Sequence, residues 1–246
     1  MTTRKWYQFD MTTTLERSPK TLLLLGASRG LGLAIVEQYL KRGWLVVGTV
    51  RGSGRTKLHD LREHWKSRLE IETVDINIPD EVAALRIRLQ GRAFDLLLVN
   101  AGVKNDDRET IADVSTEEFV RVMVTNALSP LRAIETLGDL VPPAGTLAIM
   151  SSGQGSVSNN ETGGYEVYRA GKAALNTLMR SFAARHARAD RTLLLLAPGW
   201  VRTDMGGPQA RLSIDESIPN LVNTIEAQRG KPGLQYLDSR GKTVPW

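Results

Sequence analysis

Apolar residues follow two rhythms along the chain. Short unbroken runs such as Leu22-Leu23-Leu24-Leu25 recur at regular intervals, as suits strands covered on both faces. Between them apolar positions return every three or four residues, the spacing of a helix with one buried stripe. The pattern predicts strands over 21–25, 44–50, 69–74, 94–99, 146–150 and 192–196, with a last one over 234–237. Helices are expected over 33–40, 56–66, 79–89, 116–137, 165–187 and 212–228. Two start signals sharpen these bounds. Pro79 suits a first helical turn, and Ser115 followed by Glu118 has the pattern of a capping box. Strands alternating with helices imply right-handed crossovers. The expected fold is α/β, a doubly wound parallel sheet of about seven strands with helices on both faces.

Composition narrows the class. A chain of 246 residues, 41% of them hydrophobic, can bury the core of one α/β domain. That domain is expected over 21–246. Residues 1–20 show no sustained period, contain a second candidate start at Met11 and read as a loosely ordered leader. No cysteine is present, so there is no disulfide framework, thiolate metal site or cysteine nucleophile, and no metal is expected; this fits a reducing compartment, the cytoplasm. The net charge of +5 arises from 32 basic residues scattered among 27 acidic ones, not from a basic block, which argues against a nucleic-acid partner. The apolar run 22–25 is too short for a bilayer span or an export signal, so no membrane attachment is expected.

In a doubly wound sheet the ligand crevice lies outside the carboxyl ends of the strands. The chemically suggestive residues fall there: Gly26 to Gly32 after the first strand, Asp75 after the third, Asn100 after the fourth, Ser151-Ser152 after the fifth and Pro198-Gly199 after the sixth. The glycine spacing is G-x-x-x-G-x-G, not the commoner G-x-G-x-x-G. It still allows a tight turn, a close approach of phosphate to backbone, and free N–H groups at a helix start. Tyr168 and Lys172 stand one helical turn apart and share a face. A lysine so placed favours the phenolate and eases movement of the phenolic proton near neutral pH. Taken alone, the pair also fits a tyrosine packed on a helix beside a solvated lysine. The second strand ends in Val50-Arg51-Gly52. Proteins that select NAD place a carboxylate there, about 20 residues beyond the glycine turn. Arg51, with Arg29 in the turn and Arg55 in the following loop, suits the 2′-phosphate of NADP(H) instead.

Together, Gly-Ala-Ser-Arg-Gly-Leu-Gly at 26–32, Asp75, Asn-Ala-Gly at 100–102, Asn126, Ser-Ser at 151–152, Tyr-x-x-x-Lys at 168–172 and Pro-Gly at 198–199 resemble, in kind and order, the short-chain dehydrogenases/reductases, a family of Rossmann-type fold. Within that family, Ser-Ser-Gly-Gln-Gly-Ser from 151, the stretch 198–207 and the ending Gly-Lys-Thr-Val-Pro-Trp at 241–246 are similar to the C-factor and sniffer-type carbonyl reductases.

The resemblance implies NADPH-dependent reduction of a small carbonyl compound to an alcohol. Tyr168 would be the general acid, and Lys172 would lower its pKa and hold the nicotinamide ribose. Ser152 would polarise the carbonyl, and Asn126 would anchor a water leading from Lys172. Cofactor contacts would come from Gly26, Ser28, Arg29, Gly30, Leu31, Gly32, Arg51, Asp75, Ile76, Asn100, Ala101, Gly102, Tyr168, Lys172, Pro198, Gly199, Val201 and Thr203. A homodimer or homotetramer paired through the helices over 116–137 and 165–187 would fit. Two positions depart from the family pattern. Leu25 replaces a threonine whose hydroxyl steadies the Asn100 loop, and Gly171 replaces a frequent serine at a cost of about 1 kcal/mol in helix propensity. The second reading, from another class, is a nucleotide-binding regulatory or signalling protein with incidental catalysis.

Overall fold

The structure, a computed structural model, describes residues 19–187 and 189–246. All but the last two positions of the expected leader lie outside the described residues. Seven strands form one sheet: β1 (Thr21–Leu25), β2 (Leu45–Val50), β3 (Leu69–Thr73), β4 (Leu96–Val99), β5 (Thr146–Met150), β6 (Thr192–Ala197) and β7 (Gly233–Asp238). Their order is β3-β2-β1-β4-β5-β6-β7 and every pair is parallel. The helices between them are α1 (Gly30–Lys41), α2 (Lys57–His64), α3 (Pro79–Arg88), α4 (Thr116–Met123), α5 (Ser129–Leu137), α6 (Glu166–Arg185) and α7 (Ile214–Gln228). Among the described residues no helix is long and apolar enough to cross a membrane.

Strand residues alternate between two cores. Leu22 and Leu24 of β1 face Ile35 and Tyr39 of α1 and Leu221 and Ile225 of α7, whereas Leu23 and Leu25 face Leu85 of α3, Ile134 of α5 and Met179 of α6. Burying one such leucine contributes about 1.5–3 kcal/mol, so both faces need helices and the unbroken apolar runs follow. β1 lies between β2 and β4, with Leu24 beside both Gly48 and Leu98. The chain winds one way from β1 to β3 and the other way from β4 to β7, which leaves the crevice at the ends of β1 and β4.

Two expectations change. The helix expected over 116–137 is broken by a π-helical turn, Val124–Leu128, between α4 and α5. Ser115 accepts from the Glu118 amide at 3.1 Å, but the Glu118 carboxylate turns to Arg121, so only half of the capping box forms. A complete box, Ser213 with Glu216, starts α7.

Candidate active site

The glycine turn is held from three sides. The Thr49 hydroxyl of β2 accepts from Gly26 N at 3.1 Å and its carbonyl accepts from Ala27 N at 2.8 Å. Asn100 Nδ2 donates to the Gly26 carbonyl at 2.8 Å. The Asn100 and Ala101 amides donate to the Leu25 carbonyl at 2.9 and 3.1 Å, so backbone bonds supply anchorage where the family's threonine hydroxyl is missing. Gly32 must lack a side chain: a Cβ there would lie 2.1 Å from the Gly26 carbonyl oxygen and 2.6 Å from Asn100 Nδ2. Ser28 is half-buried in the turn, and Leu31 packs partly against the core on the α1 side.

The arginines divide. Arg29 pairs with Asp204 of the loop after β6 at 2.6 Å, both strongly exposed. Arg55 is bound by Asp60 and Glu63, the first of these at 2.7 Å, which draws it onto α2 instead of toward a phosphate at the end of β2. Arg51 is 72% exposed, and its nearest carboxylate is Asp75 at 3.9 Å. Asp75 also caps its own turn, accepting from Asn77 N at 2.9 Å, and Ile76 drives its side chain into the α3-side core. Across the crevice, the Pro198 carbonyl accepts from Ser217 at 2.7 Å, Gly199 adjoins Leu212, and buried Val201 bridges to Leu212. The Thr203 methyl stands 3.8 Å from where a Cβ on Gly30 would lie, so the post-β6 loop closes on the glycine turn.

The catalytic candidates meet at the ends of β4 and β5 and on the first turns of α6. Lys172 is buried, donates from Nζ to the Met150 carbonyl at 2.9 Å and lies 5.9 Å from the centre of the Tyr168 ring. Burial lowers its pKa to about 8. Burial raises the pKa of the Tyr168 phenol; a hydrogen bond with Ser152 works against this, and the nearby Tyr236 phenol adds to the rise. The expected lowering by Lys172 is therefore not the net effect in the protein alone, because the ammonium is turned to Met150. Ser152 Oγ accepts from Gln154 N at 3.1 Å, which occupies a lone pair and leaves its hydrogen to donate.

Asn126 lies fully buried in the π turn. Its amide accepts from Val103 N at 2.8 Å and donates to the Val103 carbonyl at 2.7 Å, so it clamps the loop that follows Gly102. Gly171 packs against it. A Cβ at Gly171 would lie 3.3 Å from Asn126 Cβ, a reason for glycine inside this helix.

Three structural partners escape a reading of the sequence. Thr49 looks like any other residue of its strand. Tyr236, buried in β7, donates to the Ser152 carbonyl. Asn176 accepts from Ser151 at 2.7 Å and donates to Gly155 at 3.0 Å. Only Asn176 carried a signal, since it lies four residues beyond Lys172 on the same helix face.

The chain matches the short chain dehydrogenase family over residues 20–211. It is similar to a protein of Burkholderia multivorans described as a short-chain dehydrogenase/reductase and solved with bound NADP: 59% identity, 93% of this chain and 100% of that one, TM-score 0.92. It is also similar to a carbonyl reductase of Pseudomonas aeruginosa in complex with NADP: 36% identity, 93% and 100% coverage, TM-score 0.86. C-signal of Myxococcus xanthus is 34% identical over 154 residues, 62% of this chain and 92% of that protein. With a parallel sheet wound in this order and these residues at its strand ends, the chain belongs to the short-chain dehydrogenase family.

Proposed function

We propose that this chain is an NADPH-dependent oxidoreductase that reduces a carbonyl compound, an aldehyde, ketone or quinone, to an alcohol, with Tyr168 as general acid. The observation that carries the reading is the meeting of three groups: the Tyr168 phenol, the Ser152 hydroxyl beside it and the buried Lys172 ammonium. The dinucleotide fits the residues around them. Gly32 leaves no space for a side chain where the turn must stay close to the Asn100 loop. Gly102 leaves open the space beside Lys172, where a Cβ would come within 3.5 Å of Nζ. An ammonium has three donors, and one of them goes to Met150.

When bound, NADPH supplies the hydride. Ser152 donates its hydrogen to the carbonyl oxygen and sharpens the positive charge on carbon. Tyr168 passes its proton to the same oxygen as negative charge grows there, and its raised pKa keeps that proton in place at neutral pH. Lys172 holds the nicotinamide ribose, and Asn126 fixes the Gly102 loop facing it. Asp75, Ile76 and the run Asn100-Ala101-Gly102 serve the adenosine and ribose; Pro198, Gly199, Val201 and Thr203 serve the nicotinamide. Arg51 takes the 2′-phosphate, while Arg29 stays paired with Asp204. Val120, Leu128 and Leu178, exposed on α4 and α6 and at the turn joining α4 to α5, offer an apolar face for a second copy.

The similarity to C-signal motivates a second reading, a nucleotide-binding signalling protein with incidental catalysis. NADPH consumption across a panel of aldehydes, ketones and quinones separates the two. Turnover is expected, and Tyr168→Phe should lower it by about 10²–10⁴-fold while NADPH still binds. Tight NADPH binding with no turnover of any carbonyl would favour the signalling protein.

A further inference from the structure

The loop 151–158 carries Ser152 and leaves the sheet at the end of β5. Both of its ends are tied to the last strand and the residues after it. At the near end, the Tyr236 hydroxyl of β7 donates to the Ser152 carbonyl. The same phenol lies beside Ser151 and Asn176, which bond each other at 2.7 Å, and Asn176 also holds the Gly155 carbonyl at 3.0 Å. At the far end, the Trp246 backbone oxygen accepts from Ser158 N at 3.0 Å and Ser158 Oγ at 2.7 Å. The two ties touch each other. The Trp246 and Tyr236 rings pack with centres 5.4 Å apart, Val244 N donates to the Tyr236 carbonyl at 2.9 Å, and the Arg180 guanidinium of α6 covers the indole at 4.5 Å.

We propose that Tyr236 is a positioning residue that, with Trp246 behind it, clasps the loop 152–158 and sets the direction of the Ser152 hydroxyl. This rests on the reduction proposed above, in which that hydroxyl meets the substrate carbonyl. Tyr236 touches neither cofactor nor substrate. It acts through the Ser152 carbonyl, which belongs to the peptide unit that must stay fixed if the hydroxyl is to be both a cap for Gln154 and a donor to substrate. A buried phenol on an apolar strand must find a partner, and the partner here is the residue that polarises the substrate.

Tyr236→Phe removes one oxygen and keeps the ring against Trp246. Two measurements on the full chain decide the matter: hydrogen exchange of the amides at 153–158, and steady-state reduction of an aldehyde found active in the panel. Faster exchange in the variant is expected, with kcat lowered about tenfold, less than the roughly hundredfold cost of a 1 Å misplacement, and NADPH affinity unchanged. The alkaline limb of the kcat profile should also move upward, because a displaced Ser152 no longer favours the Tyr168 phenolate; loss of the Tyr236 phenol from a merely structural tyrosine would move that limb downward instead, since that phenol adds to the rise of the Tyr168 pKa. Unchanged exchange overturns the clasp, and so does unchanged kcat in an active parent. A parent that binds NADPH but reduces no carbonyl would instead defeat the proposed function, and the clasp would then be decided by the exchange alone.

Discussion

The two halves of the crevice treat charge in opposite ways. Around the ends of β1 and β2 the charged groups face water: Arg29 and its partner Asp204 from across the crevice are 69% and 76% exposed, and Arg51 is 72% exposed. Around β5, α6 and β7 the polar groups are buried and bonded within the protein, as with Lys172, Ser151, Asn176 and Tyr236. Exposed charges are screened by salt and exchange partners at little cost, which suits choosing between two cofactors. Buried groups hold fixed directions in a low dielectric and act more strongly on what lies beside them, which suits chemistry. The contrast predicts that substitutions in the buried half alter turnover, and in some cases stability against pH, while substitutions among the exposed charges alter preference and salt dependence.

The largest effect is expected from Lys172→Met. Turnover should fall at least about a hundredfold. The protein without cofactor should nevertheless become more stable. Burial lowers the Lys172 pKa from its ordinary 10.5 to about 8, so below pH 8 folding takes a charge out of water. Between 8 and 10.5 the unfolded lysine binds more protons than the folded one. The parent's stability therefore rises with pH across that window, and the penalty is gone above it. The variant should exceed the parent at pH 7 by at most roughly 3 kcal/mol, with the gap closing toward pH 10.5. Urea unfolding of both proteins from pH 7 to 10.5 measures this, and a gap that widens with pH would contradict the buried charge.

Next comes Gly32→Ala, which asks whether the exposed half also has a rigid part. The added methyl must push apart the Gly26 carbonyl and Asn100. A loss of about 1–3 kcal/mol is expected from such overpacking, together with loss of NADPH binding, read by a thermal melt and a fluorescence titration. Retained binding would mean that the turn tolerates movement. The smallest effect is expected from Arg51→Ala: the preference for NADPH over NADH in kcat/KM should fall about tenfold, less so at high salt. An unaltered ratio would show that Arg51 does not read the 2′-phosphate.

The sheet and its order of helices were readable because each depends on local periodicity: β1 ends where its apolar run does, and five of the six expected helices appear within a few residues of their expected bounds. Tyr168, Lys172, Ser152 and the glycine turn were readable because strand ends converge in this fold. What the sequence concealed depends on distant partners. The run over 116–137 keeps helical spacing throughout, so nothing local marks the π turn that buries Asn126. Arg29 and Arg55 each look free to meet a phosphate until folding brings Asp204 to one and α2's carboxylates to the other. Tyr236 is one apolar-looking residue of an edge strand until its hydroxyl is seen to reach the loop after β5.

The π turn also dictates where this chain tolerates a change in length. A residue advances a helix by about 100°, and a π turn absorbs one residue more than a regular turn would hold. The extra residue is taken up inside that turn, so α4 and α5 keep the phase of one regular helix, and Val122 on one and Ile134 on the other both point into buried surroundings. Deleting a single residue from 124–128 would restore a continuous regular helix and leave both faces packed. What would be lost is local: the amide of Asn126 would swing away from Val103. A one-residue deletion here would therefore release the loop after Gly102 without unpacking either helix.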